Sequence, residues 1–331
     1  MLTSKRLSMR STPSPEQFVT LFDSTFLPQG LALASSLAEH CPHASLWVLC
    51  IDEEVLRSLA SLKLANVRTI DVREIEDRKL LAAKTDRNAR EYCWTLTAFS
   101  FDAVFARCPE AERVTYLDAD LFFFDSVSPL LDELESSHAS VLITEHNYDP
   151  RYDRSETVGR FCVQFLTMDK SNEAREVRSW WQDRVLEWCY DRYEPGRFGD
   201  QKYLDQWPDL FGDRVHVLER REAALAPWNV RMEALKSGGL LRPAFYHFHS
   251  FRLVDSRRAR LVQGTYSLPR AARPLYSRYL EAIQRAVFQM KEAGIAVPLQ
   301  PIPTRPFPRA RHLAKKVLGR GDLFVRLSGV T

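Results

Sequence analysis

The sequence predicts an α/β fold: a mixed, mostly parallel sheet flanked by helices, with a basic helical appendage at the C-terminal end. Three observations predict it. Short apolar runs alternate with amphipathic stretches of helical spacing through the first half of the chain, the pattern of βαβ units. The run Arg113-Val-Thr-Tyr-Leu-Asp118-Ala-Asp120-Leu-Phe-Phe-Phe124 is apolar on both sides of two carboxylates. A strand without polar alternation is one covered on both faces, as in a parallel sheet. Polar turns follow the apolar runs, and strand ends are where open α/β sheets bind ligands.

The chain has 331 residues, 45% hydrophobic and 27% charged, ordinary for a soluble protein that buries one large core. Residues 1–15 carry Lys5, Arg6 and Arg10 but no apolar segment. They read as a flexible N-terminus rather than a secretory signal, and no apolar run is long enough to span a bilayer. A cytoplasmic protein is expected. The six cysteines (41, 50, 93, 108, 162, 189) form no C-x-x-C pair, which argues for reduced, mostly buried thiols. Net charge is +3, yet residues 301–331 hold seven Lys or Arg against one Asp, leaving 39 basic against 42 acidic residues before them. The basic excess lies in the tail, and no nucleic-acid partner is expected.

In order, residues 17–22 form a strand, and Asp23-Ser-Thr25-Phe-Leu-Pro-Gln-Gly30 leads into a helix over 31–40. Such a turn either connects the two or presents Asp23, Thr25 and helix N–H groups to a nucleoside or phosphate; no G-x-G-x-x-G or Walker sequence occurs. Residues 45–51 form the second strand, 53–64 a helix and 67–72 the third strand. Tyr92, Leu96, Phe99, Ala103 and Val104 give 87–107 a helical core face. The Asp118 strand follows, then a short helix over 129–134 and a strand over 140–144. Residues 145–159, rich in Tyr, Asp and Arg without periodicity, are expected to be a mobile loop over the site. Residues 161–167 form a strand and 172–191 a helix whose Trp180, Trp181, Val185 and Trp188 make a core stripe. Pro227-Trp-Asn229 is a turn, 244–250 a strand with His247 and His249 on one side, and 274–294 an amphipathic helix. Five prolines stiffen a linker over 298–308, and 309–331 is a basic amphipathic tail. Residues 16–297 are expected to form the main, site-bearing domain. No internal repeat occurs.

Asp118 and Asp120 are the only Asp-x-Asp pair among 21 Asp residues. Chance supplies about one such pair, so context carries the signal. In an extended backbone, residues i and i+2 point the same way, so both carboxylates face one spot. A hard divalent cation, Mn2+ or Mg2+, held there with the oxygens of a diphosphate would compensate them. His247 or His249 could add an imidazole, which favours Mn2+; a structural role for both histidines is the alternative.

In the order of these features the sequence resembles the GT-A-type glycosyltransferases, whose fold is Rossmann-like, and especially the retaining family eight. The resemblance spans 17–252 and rests on Tyr116-Leu-Asp118-Ala-Asp120, Asp200-Gln201, Pro227-Trp-Asn229 and His247-Phe-His-Ser250. It implies that Asp118, Asp120 and His247 hold the metal, that Asp118 also touches the ribose, and that Gln201 lies near the anomeric carbon with Asp200 on the sugar hydroxyls. Three departures stand out. Ser250 replaces the family glycine, the Lys-Pro-Trp that follows it is missing, and Cys162-Val-Gln164 stands where the family has Asn-x-Gly. Arg252, Arg257 or Arg258 is expected to take the diphosphate instead.

The expected activity is transfer of a sugar from a nucleoside-diphosphate sugar, a UDP-sugar by the resemblance, to a glycan or lipid-linked acceptor in surface polysaccharide or lipopolysaccharide synthesis. The tail is expected to bring the protein to an anionic inner-membrane face. Two rivals remain. A haloacid-dehalogenase-type phosphatase would use Asp118 as nucleophile, but that pair normally sits on the first strand with Thr or Val where Phe122 stands. A non-enzymatic membrane-surface protein would leave both aspartates without a role.

Overall fold

The structure, a computed structural model, describes residues 15–302 and 323–327. The chain runs β1 (Gln17–Phe22), α1 (Leu27–His40), β2 (Ser45–Cys50), α2 (Glu53–Leu62), β3 (Val67–Asp71), α3 (Arg78–Asp86), α4 (Ala89–Arg107), β4 (Arg113–Leu117) and β5 (Leu121–Phe123). Next come α5 (Ser128–Ser137), β6 (Val141–Glu145), α6 (Ser155–Val158), β7 (Phe161–Asp169), α7 (Asn172–Glu187), α8 (Trp207–Phe211), β8 (Val215–Val217) and β9 (Ala224–Leu225). The chain continues with α9 (Val230–Lys236), β10 (Phe245–His247), β11 (Arg252–Asp255), β12 (Arg258–Val262), α10 (Arg273–Glu292) and β13 (Leu323–Arg326).

Seven strands form the main sheet in the order β3-β2-β1-β4-β7-β6-β8. The first four are parallel, and β7 alone runs against its neighbours β4 and β6. Every residue of β1 is buried, and its side chains alternate between two apolar layers. Phe18 and Phe22 join Leu31, Leu37 and Leu130 on one face, while Val19 and Leu21 join Leu96, Phe101 and Trp181 on the other. From β1 the chain first moves outward to β2 and β3, then crosses back to β4. The order reverses between β1 and β4, and the carboxyl ends of strands at such a switch point are where open α/β sheets bind ligands.

Local chemistry sets the element ends. Asp52 caps α2 by accepting from Val55 N–H at 2.8 Å, and Asn88 with Glu91 forms a reciprocal box at the start of α4. Gly30 lets α1 pass directly under Phe22, whose ring a Cβ would strike.

The structure corrects several expectations. Asp118 and Asp120 do not share one strand. β4 ends at Leu117, the chain turns with Leu121 N–H donating to Asp118 O at 3.1 Å, and β5 leaves to pair antiparallel with β10. Both flanks are buried, in two different sheets, so the apolar run continues across the break. Residues 78–86 form an unexpected helix, α3, of which only Leu80 and Ala83 are buried.

The loop expected over the site is tied down. Asp149 N–H donates to Trp228 O at 2.8 Å, Trp228 Nε1–H to His146 O at 2.8 Å, and the buried Asp149 carboxylate pairs with Arg231 at 2.9 Å.

At the C-terminal end, Gln300 reaches back with N–H to Leu253 O at 2.7 Å and Nε2–H to Thr25 O at 2.8 Å. β13 adds to β12 as the third strand of a small sheet with β11. The amphipathic stretch 309–318 lies outside the described residues. Among the described residues no helix is long and apolar enough to cross a membrane.

Candidate functional site

The turn after β4 carries Asp118 and Asp120 to the switch point, and β10 brings His247 to the same place. Two backbone bonds fix the approach: Asp118 N–H donates to Gln164 O on β7 at 3.0 Å, and Phe248 N–H to Asp120 O at 2.9 Å. His247 Nε2 then stands 3.0 Å from Asp120 Oδ1 and 3.7 Å from Asp118 Oδ2. On the far side of the ring, Nδ1 meets Gln164 Oε1 at 2.8 Å. An amide oxygen only accepts, so Nδ1 carries a proton and Nε2 is the nitrogen turned to the carboxylates. Side-chain exposure rises outward, from 6% for His247 to 12% for Asp120 and 24% for Asp118. Asp118 is thus the most exposed of the three.

The charges are strongly biased. Burial, aided by Asp120, pushes the Asp118 carboxyl up to about 6 despite the nearby imidazole. For Asp120, burial is outweighed by His247, and its pKa falls to about 2. Burial alone would lower His247, but Asp120, Cys162 and Asp118 together hold it well above its ordinary value. His247 and Asp120 thus each favour the charged form of the other. His249, beyond β10, is lowered to about 4 by burial and by His247; its ring lies perpendicular to that of His247 at 5.6 Å.

The donor set accommodates a divalent cation. Two ligands at right angles, each about 2.1 Å from an ion, stand about 3 Å apart, close to the spacing of His247 and Asp120. The fixed Nδ1–H also leaves Nε2 as the ligand atom once its proton is lost.

No family model matches the sequence. Over 290 residues, 83% of this chain and 91% of its relative, it is 31% identical to the uncharacterized protein YfnD of Bacillus subtilis (strain 168). The chain belongs to the YfnD family. A second relative, YfnF of the same organism, is 29% identical over 262 residues, 75% of this chain and 86% of that protein. Among solved structures, the fold matches the glycosyltransferase GlyE of Streptococcus pneumoniae TIGR4, with TM-score 0.51 and 16% identity over 88% of this chain and 67% of that one. It also matches the bifunctional glycosyltransferase WbbM, with TM-score 0.52 and 14% identity over 85% of this chain and 51% of that one. The fold is that of the GT-A glycosyltransferases.

Around the centre of this YfnD-family chain, the other residues singled out from sequence fall into two groups. Asp200 and Arg252 join the site. Asp200 is 2% exposed, its Oδ2 has no hydrogen-bonding partner among the described residues, and burial with the Asp118 charge raises it to about 8. It follows Gly199, whose φ of +53° and close approach to Trp94 favour glycine. Arg252 lies over the Phe26 ring at 4.9 Å and acts electrostatically on Asp120. Gln201 is less direct, since its Nε2–H is engaged by Val158 O at 3.1 Å. Asp23 caps its own turn, accepting from Thr25 N–H at 3.0 Å.

Arg257 and Arg258 sit at the β11–β12 hairpin, where Arg258 pairs with Asp255 at 2.7 Å. The second arginine near the centre is Arg260, which donates to Ser250 O and bears on His249 and Arg252. Ser250 has φ +64°, the left-handed backbone that a glycine would take there. In sequence, Gln164 and Cys162 stand out only as a departure from Asn-x-Gly. Both lie on β7, where Gln164 reaches His247 and Cys162 stands near Asp118 and His247, and no local sequence signal marks either.

Proposed function

We propose that the chain is a metal-dependent glycosyltransferase that moves a sugar from a nucleoside-diphosphate sugar, first of all a UDP-sugar, to a glycan or lipid-linked acceptor. The observation that carries this reading is the convergence of Asp118, Asp120 and His247 at the switch point of a GT-A fold. Two carboxylates and one imidazole suit Mn2+ better than Mg2+. Such an ion supplies charge neutralisation at the departing diphosphate.

The chain's own groups do the rest. Arg252 offers a cation beside Asp120 and lies over Phe26, in the turn that Asp23 caps, and in this reading Asp23 and Thr25 contact the nucleoside. Asp200, neutral near pH 7, donates or accepts hydrogen bonds to sugar hydroxyls. Gln201 is positioned beside it through Val158. Fixed polar groups and geometry of this kind lower the barrier without a protein nucleophile. Within this reading, transfer proceeds with retention, as in family eight, on the cytoplasmic side, with the basic tail at an anionic membrane face and the product in surface polysaccharide or lipopolysaccharide.

A thermal-shift screen of nucleoside diphosphates and their sugars, with and without Mn2+, tests the proposal, because a ligand of the native state stabilises it by mass action. A Mn2+-dependent rise with uridine diphosphate is expected. No shift with any nucleotide, alongside phosphate release from a generic phosphate ester, would favour the phosphatase.

A further inference from the structure

We propose that Cys162 is a thiolate donor to this same centre, giving it a second, thiophilic mode of metal binding that competes with the hard-ion mode. The inference rests on the reading of Asp118 and His247 as metal ligands.

A carboxylate oxygen of Asp118, Sγ of Cys162 and a ring nitrogen of His247 lie within 4.8 Å of one another, and among the described residues this is the one such trio of His, Cys, Asp or Glu. Asp120 is not part of it. Cys162 is 3% exposed and is walled by Ala226 and Trp228. It precedes Gln164 by two residues on β7, so the side chain that fixes His247 and the thiol leave the same face of the strand.

One thiolate, one imidazole and one carboxylate with an open fourth position make a Zn2+ donor set, whereas Mg2+ and Mn2+ favour oxygen. Small side-chain rotations bring such atoms to the roughly 2.0–2.3 Å of a Zn2+ shell. As the S–metal bond forms, the thiol proton passes to water. Asp118 and His247 belong to both donor sets, so the two ions exclude each other. Zn2+ or Cd2+ therefore displaces Mn2+ and disables the site rather than substituting in it.

The test uses the full chain and metal alone. Titration with Co2+ is expected to give a near-ultraviolet thiolate-to-cobalt charge-transfer band, lost in Cys162→Ser, whose hydroxyl has the same shape but is a poor soft-metal donor. By equilibrium dialysis, Zn2+ affinity should fall at least about tenfold in that variant while Mn2+ affinity changes by less than about twofold.

Should the serine chain fail to fold, Cys162→Ala serves instead: it also removes the sulfur and should abolish the band with the other five thiols present. Bound Co2+ without a charge-transfer band, or a band that survives either substitution, overturns the proposal. If Mn2+ binds in that case, the metal centre stands and only the role of Cys162 falls. If neither ion binds the unmodified chain, both fall.

Discussion

Gln164 holds His247 by a 2.8 Å bond from Nδ1–H to Oε1, and that one contact decides which nitrogen faces Asp118 and Asp120. The partners are 83 residues apart in sequence, on β7 and β10, so the main sheet itself aims the imidazole. Gln164 Nε2, in contrast, is buried with no partner among the described residues.

Gln164→Leu should therefore weaken Mn2+ binding by about 10- to 100-fold, the usual effect of losing the group that orients a metal-ligating histidine. Folding stability should fall by about 1–3 kcal/mol, because His247 Nδ1–H loses its buried acceptor, a cost only partly offset by removing the orphaned Gln164 Nε2. Calorimetric Mn2+ titration and a melting curve check both halves.

Asp200 gives a pH-dependent stability of defined sign. Its pKa is raised from 3.8 to about 8 in the fold. The folded chain thus retains a proton that the unfolded chain releases, and stability declines as pH rises between those values. Asn, isosteric with the neutral acid, escapes that cost. In the metal-free chain Asp200→Asn should match the parent at pH 4 and exceed it by roughly 2–4 kcal/mol at pH 8, at about 1.4 kcal/mol per unit with allowance for relaxation. Urea unfolding at the two pH values measures the difference.

Asn229 is fully buried and satisfied on both ends. Oδ1 accepts from Ala226 N–H at 2.8 Å, and Nδ2–H donates to His146 O and Ala224 O, both at 3.1 Å. Asn229→Ala should cost about 3 kcal/mol and raise hydrogen exchange across residues 146–149. Asn229→Asp should be worse, because two carbonyls would then face an acceptor.

The sheet and helices were legible in sequence because their signals are local. The apolar face at Tyr92, Leu96 and Val104 and the buried β1 run need no partner to be recognised. The turn at Ala119 was not, since Leu117 and Leu121 are equally buried on either side of it. α3 escaped because two buried residues make too thin a stripe. In the site, the Asp pair and His247 could be read from residue type and spacing. Gln164 and Cys162 could not be assigned, because β7 is apolar and buried almost throughout and nothing local marks which of its side chains meets a distant strand. The capping role of Asp23 was likewise hidden, since an Asp in a turn suits a cap and a ligand contact equally.

The central claim is that Asp118, Asp120 and His247 bind the nucleotide sugar through a shared cation. Calorimetric affinity for UDP and UDP-sugars, measured across a Mn2+ series for the parent chain and for Asp120→Asn, tests it most directly. The parent should bind at least about tenfold more tightly with Mn2+ than with chelator, and the variant, folded as judged by its melting curve, should bind weakly and ignore Mn2+. Parent affinity that is unmoved by chelator, or a variant that responds to Mn2+ as the parent does, would contradict the account.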